Sequence, residues 1–370
     1  MKCLVSPKRP SRAQCQRVLC EALEARQLLC GSPSVYAIAT TTAAVSSEVV
    51  DIEPASGCWS YGATVTTTIN GGTPVVSKLS YVPDQFVLAS PQVAGQHNIQ
   101  VTIGNLNSTL VVTAPDNSSN IVAVTTAGAD VVINDGNSAA NTVTVTAPTN
   151  TCCWCCNNGA SITIVGGQNG LNQVNVTGGS VAITAGTNAG NIITATSTSS
   201  FTFTGAANAS NVVTLTGNGN YLLNGGDNAA NNFTISGGSG CVNGGDNGSN
   251  VVVATVTSLT FTGGNNSSNI TSTTGNGQYT LYGATNALNQ FTLDGGCNYV
   301  VGATNATNVY IVDDPGSGTI IYGAASATTT NTVTAQDGTS LKDYSVVTNP
   351  SPWGCLSFNG CGYSWHGCGW

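Results

Sequence analysis

Through the middle of the chain, apolar and polar positions alternate in short bursts that recur with a period of 19 or 20. Each burst follows an Asn-x-x-Asn pattern. Its second asparagine falls at Asn120, Asn172, Asn191, Asn211, Asn231, Asn250, Asn269, Asn289 and Asn308, with Asn141 and Asn331 as looser members. From Asn172 to Asn308 the successive steps are 19, 20, 20, 19, 19, 20 and 19. Two and four places after the asparagine stand apolar residues, such as Val213 and Leu215, Phe233 and Ile235, or Phe291 and Leu293, with threonines between and after them. This period-two alternation predicts a strand with one buried face. A Gly/Asn turn follows. A second strand then carries apolar residues at offsets of about ten and twelve: Phe201 and Phe203, Tyr221 and Leu223, Tyr279 and Leu281, Tyr299 and Val301. On the same count Cys241 takes the core position of Tyr221 and Tyr279, and Cys297 falls in a turn.

Two strands and two turns in about 20 residues cannot bury a face alone, whereas stacked copies can. The pattern predicts an all-β chain: a β-solenoid of about eleven 19–20-residue coils, two strands per coil, preceded by a small β region, with parallel ladders between coils. At ~4.8 Å per coil the rod is roughly 50 Å long. Inward Val, Ile, Leu, Phe and Tyr form the core, and outward Thr suits strand geometry while staying wet. Asparagine serves twice. Asn and Gly tolerate the positive φ of tight corners, and identical amides stacked coil on coil form a hydrogen-bonded ladder. The column Asn172, Asn191, Asn211, Asn231, Asn250, Asn269, Asn289 and Asn308 is therefore read as structural. With this repeat the body resembles Asn/Gly/Thr-rich β-solenoid repeat proteins.

The pattern also divides the chain. Residues 116–348 form the solenoid, and residues 34–115, which alternate but fit the repeat poorly, form a β region or cap. The step from Asn141 to Asn172 is 31, so about eleven positions are inserted; they project Cys152, Cys153, Trp154, Cys155 and Cys156 on a loop at 150–160. Residues 349–370 are a Cys/Gly/aromatic tail. Residues 1–33 are basic, then amphipathic, with Val18, Leu19, Ala22, Leu23 and Leu29 at helical spacing. They lack the long apolar stretch of a standard secretory signal, and no stretch reaches the ~20 apolar residues of a membrane span. The run Leu23-Glu24-Ala25-Arg26-Gln27-Leu28-Leu29 resembles the LEPR-XLL segment of planctomycete extracellular proteins, with Ala25 in place of the usual Pro and Cys30 in place of Ser. That resemblance implies export and an extracellular, cell-surface location.

Charge narrows the function. Only 6 % of residues are charged, against about 25 % in ordinary domains, so neutral polar groups solvate this surface. Stacked like charges would repel, which accounts for their scarcity in a ladder. The 41 % apolar share still supports a core. Six of the eight Lys and Arg lie in residues 1–26, none lies between Lys78 and Lys342, and the only histidines are His97 and His366. Nucleic-acid binding needs a basic stripe, and nucleophilic triads need a histidine in reach. Polysaccharide cleavage needs paired carboxylates, and the coils offer isolated aspartates. The sequence therefore predicts no nucleic-acid partner and no enzyme.

Three chemistries remain. Fourteen cysteines are present. Those at the ends and on loops (Cys3, Cys15, Cys20, Cys30, Cys58, Cys152, Cys153, Cys155, Cys156, Cys355, Cys361 and Cys368) are candidates for disulfides or intermolecular cross-links in an exported protein. A metal reading of CCWCC lacks a second pair at zinc spacing, and Cys361 with His366 is the corresponding tail alternative to a stapled cap. NGGDNAAN at Asp227 and NGGDNGSN at Asp246 resemble the RTX calcium repeat, which would imply one weak calcium site; no other cofactor is expected. Asp313-Asp314, beside Pro315-Gly316, reads as a solvated turn. The outward Thr-x-Thr rows resemble insect antifreeze faces, but Val253, Asp294, Ile311 and Asp313 interrupt them. The leading expectation is a non-enzymatic structural protein that self-associates into a homopolymer. The alternative is a monomeric adhesin or calcium-binding module presenting Trp154.

Overall fold

The computed structural model describes residues 36–39, 63–69, 71–79, 85–89, 95–103, 109–147, 160–217, 219–313, 319–324, 328–335, 345–347, 356–359 and 362–365. Every described element is a strand, and none is a helix long and apolar enough to cross a membrane. The strands stack into two sheets of fourteen, and through the repeat region the chain visits these alternately. This is the β-solenoid that the repeat predicts. The first sheet carries the asparagines in strict parallel register: Asn141 pairs with Asn172, Asn191 with Asn211, Asn231 with Asn250, Asn289 with Asn308. Residues two and four places on, such as Val213 and Leu215 or Phe233 and Ile235, point inward and meet Phe203, Leu223 and Phe261 from the second sheet in one continuous core. Phe203 meets Phe233 edge-on at 6.0 Å, and Phe291 stacks on Tyr310 at 5.9 Å.

The difference between 19- and 20-residue coils is localised. The corner leading into each asparagine from Asn120 to Asn308 has constant length; the turn leaving the first sheet does not. In a 20-residue coil the inward residues of the second strand stand ten and twelve after the asparagine, as Tyr221 and Leu223 do after Asn211. In a 19-residue coil they stand nine and eleven after it. A one-residue change exchanges the two faces of a strand, and this corrects three sequence assignments. Gly240, not Cys241, pairs with Tyr221, and Cys241 pairs with Leu222 on the outer face, exposed and free. Asn298 and Val300, not Tyr299 and Val301, pair with Tyr279 and Leu281. Cys297 is not in a turn: it opens the strand Cys297–Val301, is buried, and is disulfide-bonded. Three of the short turns are made by glycine pairs with both φ positive, such as Gly237 (85°) and Gly238 (79°), a conformation L side chains resist, whereas Val256 and Thr257 make the fourth.

The N-terminal boundary also moves. Strands β4 (Gln85–Ala89), β5 (Gln96–Ile103) and β6 (Thr109–Thr113) pair in parallel register with the coils above them, β7 (Ser119–Thr126) and β8 (Asp130–Asn134). The stack therefore starts before residue 116, and the repeat was hidden because His97 occupies the asparagine position opposite Asn120. β1 (Tyr36–Ala39) adds to β4 in parallel. β2 (Ala63–Ile69) and β3 (Val75–Leu79) form an antiparallel hairpin against β5, so part of 34–115 caps the edge of the first sheet. The insertion leaves the ladder intact: β9 (Ala140–Thr146) and β10 (Ser161–Val165) flank it, and both hold register with the coils on either side.

One coil fills its core with hydroxyls. Thr271 and Thr273 point inward, fully buried, where other coils carry Val, Ile, Leu, Phe, Ala or Tyr, and Thr271 Oγ1 has no hydrogen-bond partner. Thr271→Val keeps the volume and removes the orphaned hydroxyl. Because such a group costs about 1–3 kcal/mol, the variant is expected to raise the urea midpoint by an amount equivalent to ~1 kcal/mol or more. An unchanged or lower midpoint counts against that account.

Candidate functional site

The two asparagines of each Asn-x-x-Asn divide the two roles expected of asparagine. The first turns the corner: Asn169, Asn188, Asn208, Asn228, Asn247, Asn266, Asn286 and Asn305 all adopt φ between 51° and 57°, a left-handed conformation Asn tolerates better than most residues. The second is buried and builds the ladder. The Nδ2 of Asn120 donates to Asn141 Oδ1 (2.7 Å), and the chain of bonds continues link by link to Asn331. The amide of Asn250 is fully satisfied. Its Nδ2 donates to Asn269 Oδ1 (2.8 Å) and to the Gly245 carbonyl (2.8 Å), while its Oδ1 accepts from Asn231 Nδ2 (2.9 Å) and the Gly245 N–H (2.9 Å). The same loop-to-amide pair recurs at Asn172, Asn191, Asn231, Asn269, Asn289 and Asn308. The preceding glycines leave room for it: a Cβ on Gly244 would lie 2.8 Å from Asn250 Nδ2.

The ladder ends where its chemistry runs out. Asn120 Oδ1 is buried without a partner. The residue that would donate from its own corner is Pro115, which has no N–H, and the coil below presents His97 instead of an amide. His97 is itself 1 % exposed. Sequence reading missed its place; counting back one coil from Asn120 is the signal that finds it.

Asp135 breaks the pattern of the corner column. Six positions before the ladder asparagine, the other coils from Asn120 to Asn308 carry Gly or Ala, among them Ala114, Gly166, Ala185, Gly205, Gly225 and Gly244. Asp135 puts a carboxyl there, with both oxygens buried and neither hydrogen-bonded. Desolvation pushes its pKa up to about 7. The absence of any Lys or Arg between Lys78 and Lys342 leaves no basic side chain in this stretch to offset it.

The two calcium candidates are stacked one coil apart and engaged by backbone. Asp227 Oδ1 accepts the Asp246 N–H (2.9 Å), and Asp246 Oδ1 accepts the Asn265 N–H (2.6 Å). Asp116 and Asn137 serve the same purpose lower in the stack, each capping an N–H of the next coil. Where this column carries Asp or Asn the side chain accepts from the next coil, while Gln168, Thr187, Ala207 and Thr285 hold the same place elsewhere. Among the described residues no group of three or more His, Cys, Asp or Glu side chains could hold a metal ion. Asp246→Asn, which keeps the acceptor, is expected to leave the Tm unchanged, as is millimolar calcium, while Asp246→Ala costs about 1 kcal/mol. A calcium-dependent rise in Tm that Asp246→Asn abolishes would reverse this reading.

On the outer face of the first sheet the threonine rows are real. Thr194 and Thr196 lie in register with Thr214 and Thr216, then with Thr234 and Ser236. Val253 pairs with Thr234, Ile311 with Thr292, and Asp294 with Asp313, so the interruptions read from the sequence fall on this face. Cys3, Cys15, Cys20, Cys30, Cys58, Cys152, Cys153, Cys155, Cys156, Cys355, Cys361 and Cys368 lie outside the described residues, as do Trp154, Asp314, His366 and residues 1–33. No protein-family model matches the chain, and no curated protein or solved structure matches it either.

Proposed function

We propose that this chain is a secreted structural protein, the protomer of a self-assembling fibre or matrix at the cell surface, with no catalytic role and with cysteines near its ends fastening neighbours. The observation that carries the reading is the unbroken amide ladder from Asn120 to Asn331. It commits the interior of the molecule to coil-on-coil stacking, and the outer face of the first sheet is largely uncharged, with rows of Thr beside a row rich in Ile and Val such as Ile192, Val212, Val251 and Ile270. A rod of this kind is stiff, carries little charge along its length, and is chemically uniform, as a building element requires.

The ends constrain how such rods could join. Open strand edges recruit other chains unless they are covered. The antiparallel β2–β3 hairpin covers the first sheet at the N-terminal end, so uninterrupted parallel stacking of one protomer on the next is blocked on that sheet. Assembly then runs through side-chain or disulfide contacts between ends, which fits the clustering of cysteines there in the sequence.

Negative-stain electron microscopy of native protein isolated without reductant tests this. Uniform filaments with an axial repeat near one solenoid length, dispersed only by reductant with denaturant, are expected. Dispersed short rods under all conditions would overturn the fibre reading and favour the monomeric adhesin instead.

A further inference from the structure

The outer face of the second sheet changes character over its last coils. In the strands Ser200–Thr204, Asn220–Asn224, Ser239–Asn243 and Ser258–Thr262, the third and fifth residues point outward: Thr202 and Thr204, Leu222 and Asn224, Cys241 and Asn243, Thr260 and Thr262. They are mostly small or polar. In the next three strands the same two rows hold Thr280 and Tyr282, Tyr299 and Val301, Ile320 and Tyr322. Tyr282 meets Tyr299 edge-on at 6.4 Å, and Tyr299 meets Tyr322 at 5.4 Å. An aromatic strip thus runs up the outside of the rod at its C-terminal end.

The far end of that strip is covered. Tyr282 is 38 % exposed, an ordinary value for an outward tyrosine, yet Tyr322, in the same row two coils on, is only 3 % exposed. Cys297 stands at the edge of the strip, on the outward side of the strand that carries Tyr299, and it is both buried and disulfide-bonded. Cys241 is free, so the partner of Cys297 is a cysteine outside the described residues.

Chain length selects which. Cys297 lies seven coils, roughly 34 Å at ~4.8 Å per coil, from the coil that bears the 152–156 cysteines. Those cysteines are no more than six residues from Ala147 or Ala160, about 21 Å of extended chain. Cys58 and Cys30 are tethered within six residues of β2 and β1, more than ~40 Å away at that coil spacing. Cys3, Cys15 and Cys20 would have to run extended along most of the rod. Cys355 follows Val347 by eight residues, about 28 Å of reach, and Val347 is only two strands from Val301. Residues 349–370 also match the face chemically. They contain no acid, no Lys or Arg, and the aromatics Trp353, Phe358, Tyr363, Trp365 and Trp370. Part of the segment is an antiparallel hairpin, Leu356–Asn359 with Gly362–Trp365.

We propose that residues 349–370 dock on the outer face of the second sheet over its last three coils, against Tyr299 and Tyr322, and are locked there by a disulfide from Cys297 to Cys355, Cys361 or Cys368. The docked segment fixes the C-terminal coils and uses one tail cysteine within the protomer, leaving two for other pairings. This holds whether or not the rods assemble into fibres.

The lysines make the test simple. Trypsin can cut after Lys78 and Lys342 and nowhere between or beyond them, so Cys297 falls in fragment 79–342 and the three tail cysteines in 343–370. Protein isolated without reductant, alkylated, denatured and digested should hold 343–370 on 79–342 until reductant releases it. The variant Cys297→Ser should release it without reductant. Peptic mapping of the linked wild-type species should then show Cys297 bonded directly to a tail cysteine of the same chain, a result that does not depend on how the variant folds. Free 343–370 from unreduced wild-type protein overturns the proposal. So does a map in which the Cys297 link joins two chains, or one that places Cys297 opposite any cysteine before residue 343.

Discussion

Replacing Asn250 by Ala is expected to lower the stability of the solenoid by at least ~4 kcal/mol, because four hydrogen bonds end on this one side chain and an unmet buried group costs about 1–3 kcal/mol. The loss exceeds that of an ordinary buried polar residue because every partner is itself buried. Asn231 loses an acceptor, Asn269 loses a donor, and the N–H and carbonyl of Gly245 lose their closure. Water cannot substitute readily, since Gly244 packs against the amide and Asn250 is 0 % exposed. Asn250→Asp is expected to be at least as damaging at neutral pH: the carboxylate still accepts from Asn231 but faces the Oδ1 of Asn269 with no proton to donate. Circular dichroism melts and urea titrations measure both variants. In a stacked array the damage can split one transition into two, as the coils on either side unfold separately. If Asn250→Ala melts within a degree or two of the parent, the ladder is a by-product of stacking and does not drive it.

Asp135→Ala is expected to act in the opposite direction, and only above neutral pH does its full effect appear. The sign follows from burial. The carboxyl titrates near the ordinary carboxylate value in the unfolded chain and at about 7 in the folded one. Below about pH 4 it is protonated in both states and its ionisation contributes nothing. Between about pH 4 and 7 the unfolded chain ionises while the folded chain stays protonated, so stability falls as pH rises. Above pH 7 the full penalty is in place, on the order of 4 kcal/mol. Asp135→Ala removes the titrating group and places at this corner the residue that Ala114 and Ala185 supply in nearby coils. The variant should gain least over the parent near pH 4, where it relieves only the unbonded neutral carboxyl, melt well above it at pH 8, and show a flatter Tm–pH profile between. Parallel profiles for the two proteins would show that the carboxyl finds compensation in solution.

The sequence by itself determined the coil. Asparagine at a period of 19 or 20, Gly-rich corners and Val-x-Leu or Phe-x-Ile alternation admit few structures besides a stack in which identical residues meet. A ladder of amides follows, because Asn both donates and accepts along one axis. What it did not determine was the face that each residue of the second strand presents. Strand side chains alternate with a period of two, so the residue gained or lost in the turn before that strand exchanges inside and outside. Only the stacked register, in which Gly240 meets Tyr221 and Asn298 meets Tyr279, puts Cys241 and Tyr299 on the surface. The first coils were illegible for a related reason. Burial beside Asn120 tolerates a histidine, so a coil continued in space after its asparagine signature was gone. Composition showed that charge is scarce, but only packing revealed that Asp135 is buried without a partner, since burial is set by neighbours that lie a full coil or more away along the chain.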